Sequence, residues 1–408
     1  MKHSTRQGWL VGLVAAAGLG GLGAAAEPLL APGGRMVFIG DSITEQRCYT
    51  RYVMDYFSLR YPGADISFRN AGWGGDTAPG GLGRLQRDVL DLKPTVVSIC
   101  FGMNDGGYGA FNQGHYDRYM AGMTGLVAKL KQSGVKVVLL TPGCVDADRR
   151  APGDVYNDTL TRFAAGVKEL AAKEQVPIFD LNALMLDVQR QAKAAISNFT
   201  MIPDSVHPSE PGQAVMAYGL LEALGCDGPA ATLAIDAASV KVDAERCTVS
   251  NLQVTAEAIT FTRKDVALPA YFDPPAATVY AYLVLLQDLM SYPFRVTGLK
   301  AGNWKLTVQG KDVGTFTADA LAAGVNLATN DGPWAAVGAD VNRLSAEQES
   351  AYFSRWRQIQ LADVPAEAKA EQQALLAKLD SLIAAKEQAR LRRAADEPAW
   401  TWSLTRVP

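Results

Sequence analysis

The chain has 408 residues, 48% of them apolar, and a formal net charge of −3 at pH 7 with acidic and basic side chains interspersed. That length allows two or three domains of roughly 100 to 200 residues each, with apolar residues enough for sizeable cores. A charge so evenly balanced carries no basic footprint, which sets nucleic acid aside as a partner.

The N-terminus reads Met1-Lys2-His3-Ser4-Thr5-Arg6, followed by an uncharged run from Gly8 to Ala26 that ends in Ala24-Ala25-Ala26. A basic start, an apolar stretch and small residues at the end form an export signal, so residues 1–26 are expected to be a cleaved signal peptide. The alternative is an uncleaved anchor, because the run approaches the ~20 residues that span a bilayer. Its many glycines and alanines make it weakly hydrophobic and favour cleavage. No later stretch is long and apolar enough to span, so the mature protein is expected to be soluble, secreted or periplasmic, without stable membrane insertion.

Five cysteines are scattered through the chain, at 48, 100, 144, 226 and 247. No Cys-x-x-Cys occurs, so neither a zinc site nor a thioredoxin-like motif is indicated, and no metal site is expected. Cys226 with Cys247 is the first pair to consider for a disulfide. Cys100, inside an apolar run, reads as a small buried hydrophobe.

From Arg35 onward, short apolar runs alternate with longer amphipathic segments. The runs are Met36 to Ile39, Ile66 to Phe68, Val96 to Phe101, Val135 to Leu140 and Val176 to Phe179. Helical patterns lie at about 45–60, 81–92, 115–132, 154–174, 183–196 and 211–224. This alternation predicts βαβ units and a five-stranded parallel sheet covered by helices on both faces, with the domain spanning 33–226. After Gly225 the pattern changes to short alternating stretches, and residues 227–340 read as a small β-rich appendage with one helical stretch near 275–290. Between Gly298 and Thr317 two hairpin turns are expected to flank a strand. Residues 341–408 read as a helical C-terminal region. Ser345-Ala346-Glu347-Gln348 fits a capping box ahead of one helix. Leu375, Leu379, Leu382 and Ile383 form a stripe on a second, expected to pack on its own chain or, failing that, to make an oligomer seam. The tail Trp400-Thr401-Trp402-Ser403-Leu404 alternates and is expected to return to a sheet edge.

The first apolar run ends in Gly40-Asp41-Ser42, at the carboxyl end of a buried strand, which is where open α/β sheets place their sites. Ser42 is therefore a candidate nucleophile; the alternative is that Asp41 or Ser42 merely caps the following helix. Histidine is scarce. His3 lies in the signal segment, leaving His115 and His207. A serine nucleophile needs a base that a carboxylate orients. Asp204-Ser205-Val206-His207 offers both three positions apart, so a compact loop can turn the carboxylate onto Nδ1 and leave Nε2 for Ser42. His115 begins a helical pattern and reads as a surface or capping residue. Donors for a developing oxyanion are available after two strand ends: the Gly75 backbone N–H within Asn70 to Thr77, and the Asn104 side chain within Gly102-Met103-Asn104-Asp105. Each alone could be an ordinary turn. The glycines carry no dinucleotide or P-loop fingerprint, which sets phosphate binding aside.

Gly40-Asp41-Ser42, Gly75, Gly102-Met103-Asn104-Asp105 and Asp204-Ser205-Val206-His207 resemble, in order, the four blocks of the SGNH (GDSL) hydrolase family. The resemblance covers about half of the chain. It implies a three-layer α/β/α sandwich with a flavodoxin-like sheet, Ser42 as nucleophile, His207 as base and Asp204 orienting it. It also implies an oxyanion hole from the Ser42 and Gly75 N–H groups and the Asn104 amide, with no cofactor. The turn lacks the second glycine of Gly-x-Ser-x-Gly, which argues against an α/β-hydrolase elbow.

These readings lead to a secreted serine esterase that removes small acyl groups, acetyl first among them, from a carbohydrate. One alternative is a lipase, lysophospholipase or thioesterase of the same family, with Tyr271, Phe272, Tyr280, Tyr282 and Leu283 as a lid, although such residues more often form core. An alternative of another class is a non-catalytic protein that binds a glycan or a partner. The oligomeric state is not legible in the sequence.

Overall fold

The computed structural model describes residues 28–283, 289–395 and 399–407. The expected signal peptide, 1–26, lies outside them. The first half follows the expected alternation: β1 Arg35–Gly40, α1 Ser42–Glu45, α2 Cys48–Arg60, β2 Ser67–Gly72, α3 Ala78–Asp88, β3 Val96–Cys100, α4 Gln113–Gln132, β4 Lys136–Leu140, α5 Tyr156–Glu174, β5 Ile178–Phe179, α6 Leu181–Ala195 and α7 Glu210–Ala223. The five strands pair in parallel in the order β2-β1-β3-β4-β5. Side chains alternate across β1. Met36 and Phe38 join the core under α2, α6 and α7, whereas Val37 and Ile39 join the one under α3, α4 and α5. Two buried faces explain why the strands read as unbroken apolar runs. The result is the expected three-layer α/β/α sandwich with a flavodoxin-like sheet.

The order reverses between β1 and β3, so their carboxyl ends diverge and leave a crevice. Asp41-Ser42 follows β1, Trp73 to Thr77 follows β2, and Phe101 to Asp105 follows β3. Short polar residues fix where the helices start: the side chains of Asp41, Thr77, Asn112 and Asp180 each accept from a backbone N–H in the first turn of α1, α3, α4 and α6.

The second half begins with β6 Thr232–Asp236, β7 Lys241–Glu245, β8 Cys247–Val254 and β9 Ala258–Asp265, and continues with β10 Pro293–Thr297, β11 Asn303–Val308, β12 Lys311–Thr317, α8 Ala318–Ala323 and β13 Val325–Asn326. It closes with α9 Pro333–Phe353, a π-helical turn Ser354–Gln360, α10 Lys369–Ala395 and β14 Trp400–Val407. Two sheets form, β13-β10-β6-β7 and β12-β11-β14-β9-β8. Their inner faces meet through Phe261, Phe294 and Trp402, with ring centroids 5.6 to 6.2 Å apart. Trp334 of α9 stacks on Trp402 at 5.7 Å.

Several expectations for this half are corrected. β14 is not at an edge; it pairs with β9 on one side and β11 on the other. Between Gly298 and Thr317 only Gln309-Gly310 makes a hairpin turn, joining β11 to β12, since β10 and β11 belong to different sheets. The helical stretch near 275 is a 3₁₀ segment, Pro274–Tyr282, and residues 284–288 lie outside the described ones. α9 starts at Pro333 and runs through the expected boundary at 340, so Ser345 is buried within the helix rather than at its start. The α10 stripe splits: Ile383 is buried and Leu379 half-buried, while Leu375 and Leu382 are 41% and 44% exposed, and the buried leucine of the helix, Leu376, lies outside the stripe. Cys226 and Cys247 are both free, the Cys247 thiol donating to the Thr232 carbonyl at 3.3 Å.

α9 packs on α2 through polar groups that a sequence pattern does not reveal. Ser345 Oγ and Asn342 Nδ2 donate to the two oxygens of buried Asp55. Thr50 Oγ1 donates to Glu349 Oε1 at 3.0 Å. Burial raises the Glu349 carboxyl to about 8, against the opposing influence of Arg51, and burial likewise raises Asp55 to about 7. Both folded-state values lie above the unfolded carboxylate range near 4, so the folded chain holds these protons more tightly. Their stabilising contribution is complete below about pH 4 and disappears as pH rises through about 7 to 8. Glu349→Gln keeps an acceptor for Thr50 and removes the larger titration. The fall in Tm between pH 6 and pH 9 is therefore expected to be shallower in Glu349→Gln than in wild type; equal slopes in thermal unfolding would refute it.

Candidate active site

Ser42 Oγ lies 2.8 Å from His207 Nε2, and His207 Nδ1 lies 2.7 Å from Asp204 Oδ2. These are the three residues that the sequence brought forward, joined in series. The helix-capping alternative for Gly40-Asp41-Ser42 is resolved by division of labour: Asp41 Oδ1 accepts the Ile43 N–H at 3.0 Å, leaving the Ser42 hydroxyl to His207. One turn, Asp204 to His207, supplies acid and base together. Asp204 Oδ1 accepts the backbone N–H groups of Val206 and His207 at 3.0 and 2.7 Å, which orients Oδ2 toward the imidazole. Ser205 adopts φ +76° inside this turn, an uncommon conformation for a residue with a Cβ. The turn is tied down from behind by buried Asp146, whose N–H donates to the Ser205 carbonyl at 3.0 Å and whose Oδ2 accepts from Thr200 Oγ1 at 2.6 Å.

Partial burial acts to raise the Asp204 carboxyl, yet the hydrogen bonds from His207 and Val206 outweigh it and hold it below the usual carboxylate range. It therefore remains ionised beside the imidazole at neutral pH. Asp41 behaves oppositely: burial raises it to about 7, the Ile43 N–H opposes, and neighbouring Asp105 and Asp76 add to the rise.

In the loop that follows β2, Gly75 has φ +74°, with open space where a Cβ would stand. Among the described residues nothing accepts from the N–H of Ser42 or of Gly75. Asn104 Nδ2 donates to the Asp76 carbonyl at 2.9 Å, next to Gly75, and its amide has a second hydrogen to offer. His115 stands apart as an N-terminal helix residue, its N–H donating to the Asn112 side chain at 3.0 Å and its Nδ1 to the Gly106 carbonyl at 3.3 Å. A hydroxyl on an imidazole on a carboxylate, beside unused amide donors at a sheet switch point, is an arrangement suited to acyl transfer.

Residues 38–215, the stretch holding all of these groups, match the GDSL-like Lipase/Acylhydrolase family. That stretch is an SGNH (GDSL) hydrolase domain. An acetylxylan esterase of Geobacillus stearothermophilus is 27% identical over 221 residues, covering 47% of this chain and 94% of that protein. This SGNH hydrolase is accordingly a carboxylic ester hydrolase. The solved structure of a gut microbial diltiazem-metabolizing enzyme aligns over 94% of this chain and all of that one, with TM-score 0.80 and 24% identity. The whole architecture of this SGNH hydrolase, second half included, therefore recurs in another protein.

Several residues around the SGNH crevice escape sequence reasoning. Tyr108 OH donates to Asn104 Oδ1 at 2.7 Å and so turns the Asn104 NH₂ toward Asp76; nothing in the sequence marks Tyr108 out. Arg84 holds the β2–α3 loop, with Nε 2.7 Å from Asp76 Oδ2 and its guanidinium donating to the Ala71 and Gly40 carbonyls. Its position four residues before Asp88 was the available signal. Arg357, from the far end of the chain, reaches the same loop.

Proposed function

We propose that this esterase is a secreted serine hydrolase that removes small acyl groups, foremost acetyl, from carbohydrate, and the observation carrying this reading is the series Ser42–His207–Asp204. Ser42 Oγ attacks the ester carbonyl while His207 Nε2 takes its proton; Asp204 keeps the imidazole in the tautomer that accepts at Nε2 and stabilises the imidazolium formed. The carbonyl oxygen, now carrying charge, is met by the Ser42 and Gly75 N–H groups and the Asn104 amide. The bond to the alcohol oxygen then breaks as His207 returns the proton to it. Water, activated by the same imidazole, releases the acid and restores Ser42.

Two features support a sugar ester over a lipid. The relative that shares the hydrolase half is an acetylxylan esterase. A cavity of about 570 Å³ beside His207 is open and lined by Gln46, Asp204, Ser209, Glu210 and Gln213 together with Cys48 and two prolines, groups suited to hydroxyls. The aromatic residues considered for a lid do not border it. Phe272 is buried against Tyr52, and Tyr271, Phe272 and Tyr280 instead line a separate cavity with Met290 and Trp334. The basic start and uncharged run within residues 1–26 support export. Among the described residues no helix is long and apolar enough to cross a membrane.

The test compares p-nitrophenyl acetate, butyrate and octanoate, then acetylated xylooligosaccharides and acyl lipids. Acetyl esters are expected to exceed octanoyl in kcat/KM by about tenfold or more, since each misplaced methylene is worth a factor of ten upward. Acetate should be released from the oligosaccharide. Preference for the long chain, with lipid hydrolysis, would reverse the assignment.

A further inference from the structure

The π-helical turn Ser354–Gln360 brings Trp356 and Arg357 against Trp73, in the loop that follows β2. Trp356 meets Trp73 edge-on, centroids 5.9 Å apart, and its Nε1 donates to Asp88 Oδ1 at 3.1 Å, anchoring the turn to the end of α3. Arg357 sits over the same ring, its Cζ 3.4 Å from the Trp73 centroid. Its Nη2 is 3.2 Å from Glu45 Oε1, and both side chains are largely buried, at 22% and 23% exposure.

Trp73 and Glu45 are not arbitrary partners. Glu45 ends the helix that Ser42 begins. Its carboxylate fills the place beside Gly74 where a Cβ would stand 2.7 Å from Oε2. Trp73 immediately precedes Gly74-Gly75, and its N–H donates to the Gly40 carbonyl at 3.0 Å. The two glycines themselves are exposed. Their placement depends on what holds Trp73 before them, Asp76 after them and Glu45 beside them. Arg84 and Asn104 secure Asp76. Arg357 secures the other two. π-Helical turns occur disproportionately at functional sites, where the wider turn re-aims side chains.

We propose that Arg357 is a positioning residue for catalysis: by clamping the Trp73 ring and the Glu45 carboxylate it fixes Gly74-Gly75 so that the Gly75 N–H faces the charge developing on the substrate. This rests on the reading of Ser42 and Gly75 given above. It assigns the C-terminal helices a part in the reaction, since the oxyanion side of the site is then incomplete without a residue 315 positions beyond Ser42. A donor that is misplaced weakens transition-state binding without changing how the neutral ester is held, so the effect belongs in kcat.

The experiment measures kcat and KM for p-nitrophenyl acetate in the full chain for wild type, Arg357→Ala, Arg357→Lys, Glu45→Gln and Ser42→Ala, with thermal unfolding of each. Arg357→Ala is expected to lower kcat about 10- to 100-fold with KM changed less than about twofold. Arg357→Lys keeps the charge toward Glu45 but not the guanidinium contact with Trp73, so its kcat should fall between the two. Added guanidinium should raise the kcat of Arg357→Ala. A folded Arg357→Ala with wild-type kcat, or with a loss confined to KM, overturns the proposal. If that variant does not fold, Arg357→Lys and Glu45→Gln decide: lowered kcat at wild-type Tm sustains the proposal, and unchanged kcat in both overturns it. Activity in Ser42→Ala would instead remove the underlying reading of the site, which an inactive Ser42→Ala leaves in place whatever Arg357 does.

Discussion

Ser42→Ala is expected to lower kcat on p-nitrophenyl acetate by about 10⁴- to 10⁶-fold, with the Tm unchanged within a few degrees. The size of the effect follows from how the three groups share one task. His207 bonds Ser42 Oγ at 2.8 Å, and once that oxygen is gone the imidazole has no proton to take and Asp204 nothing to support. On the proposed mechanism, what remains is binding plus the amide donors, with no nucleophile better than water. Ser42 Oγ is half-buried and faces the crevice, so removing one oxygen leaves no cavity in either core. Steady-state kinetics and thermal unfolding of the pair check both halves of the expectation. A variant that retained more than about a hundredth of the activity would show that the reaction does not pass through Ser42.

Asp204→Asn is expected to cost about 10³- to 10⁴-fold in kcat, because the fault is a wrong tautomer and not a missing group. An amide at 204 can present its NH₂ to His207 Nδ1, and the imidazole then carries its proton on Nε2, the atom that must accept from Ser42. Asn retains one carbonyl oxygen for the backbone N–H groups of Val206 and His207, so the turn itself should persist. The pH dependence carries a separate signature. The Asp204 carboxyl is held below the usual range by those bonds, so its contribution to stability is present above the ordinary carboxylate pKa and is lost as pH falls through its folded value. Wild type should lose stability relative to Asp204→Asn as pH falls below about 4, and parallel stability curves for the two proteins through that acid range would contradict the assignment.

Much of the hydrolase half is legible because its signals are local. Met36 to Ile39 and Val96 to Phe101 are apolar on both faces because helices cover both, and caps such as Asn112 and Asp180 stand where the helical pattern begins. Only two histidines remain after residue 27, and the one with an acid three positions earlier is the one that meets Ser42. The errors arise where partners are remote. Ser345 looks like an N-cap by spacing, yet it bonds Asp55 on α2, 290 positions away, and sits in the middle of α9. Trp400 to Leu404 alternates as a strand should, but alternation says nothing of how many neighbours a strand will have. Tyr108 and Arg357 act through an amide and a tryptophan ring, contacts with no period or motif to betray them. Cys226 and Cys247 are close in sequence, and their backbones still lead to different places.

The central position of β14 bears on how the molecule is made. Residues 400–407 bridge β9 and β11, and among the described residues they are the last to leave the ribosome. Until they arrive, two strands that will lie inside a sheet each present an open row of amide and carbonyl groups, and Phe261, Phe294 and Trp334 lack the tryptophan they pack around. Pairings across such separations close slowly, and unpaired strands are the surfaces on which nascent chains stick to one another. The parallel sheet of the hydrolase half, β1 to β5, and the C-terminal helices that pack on it are all synthesised before β14. Synthesis thus passes through an interval in which the catalytic half can be in order while the sandwich waits for its keystone, and holdase chaperones would find their target there.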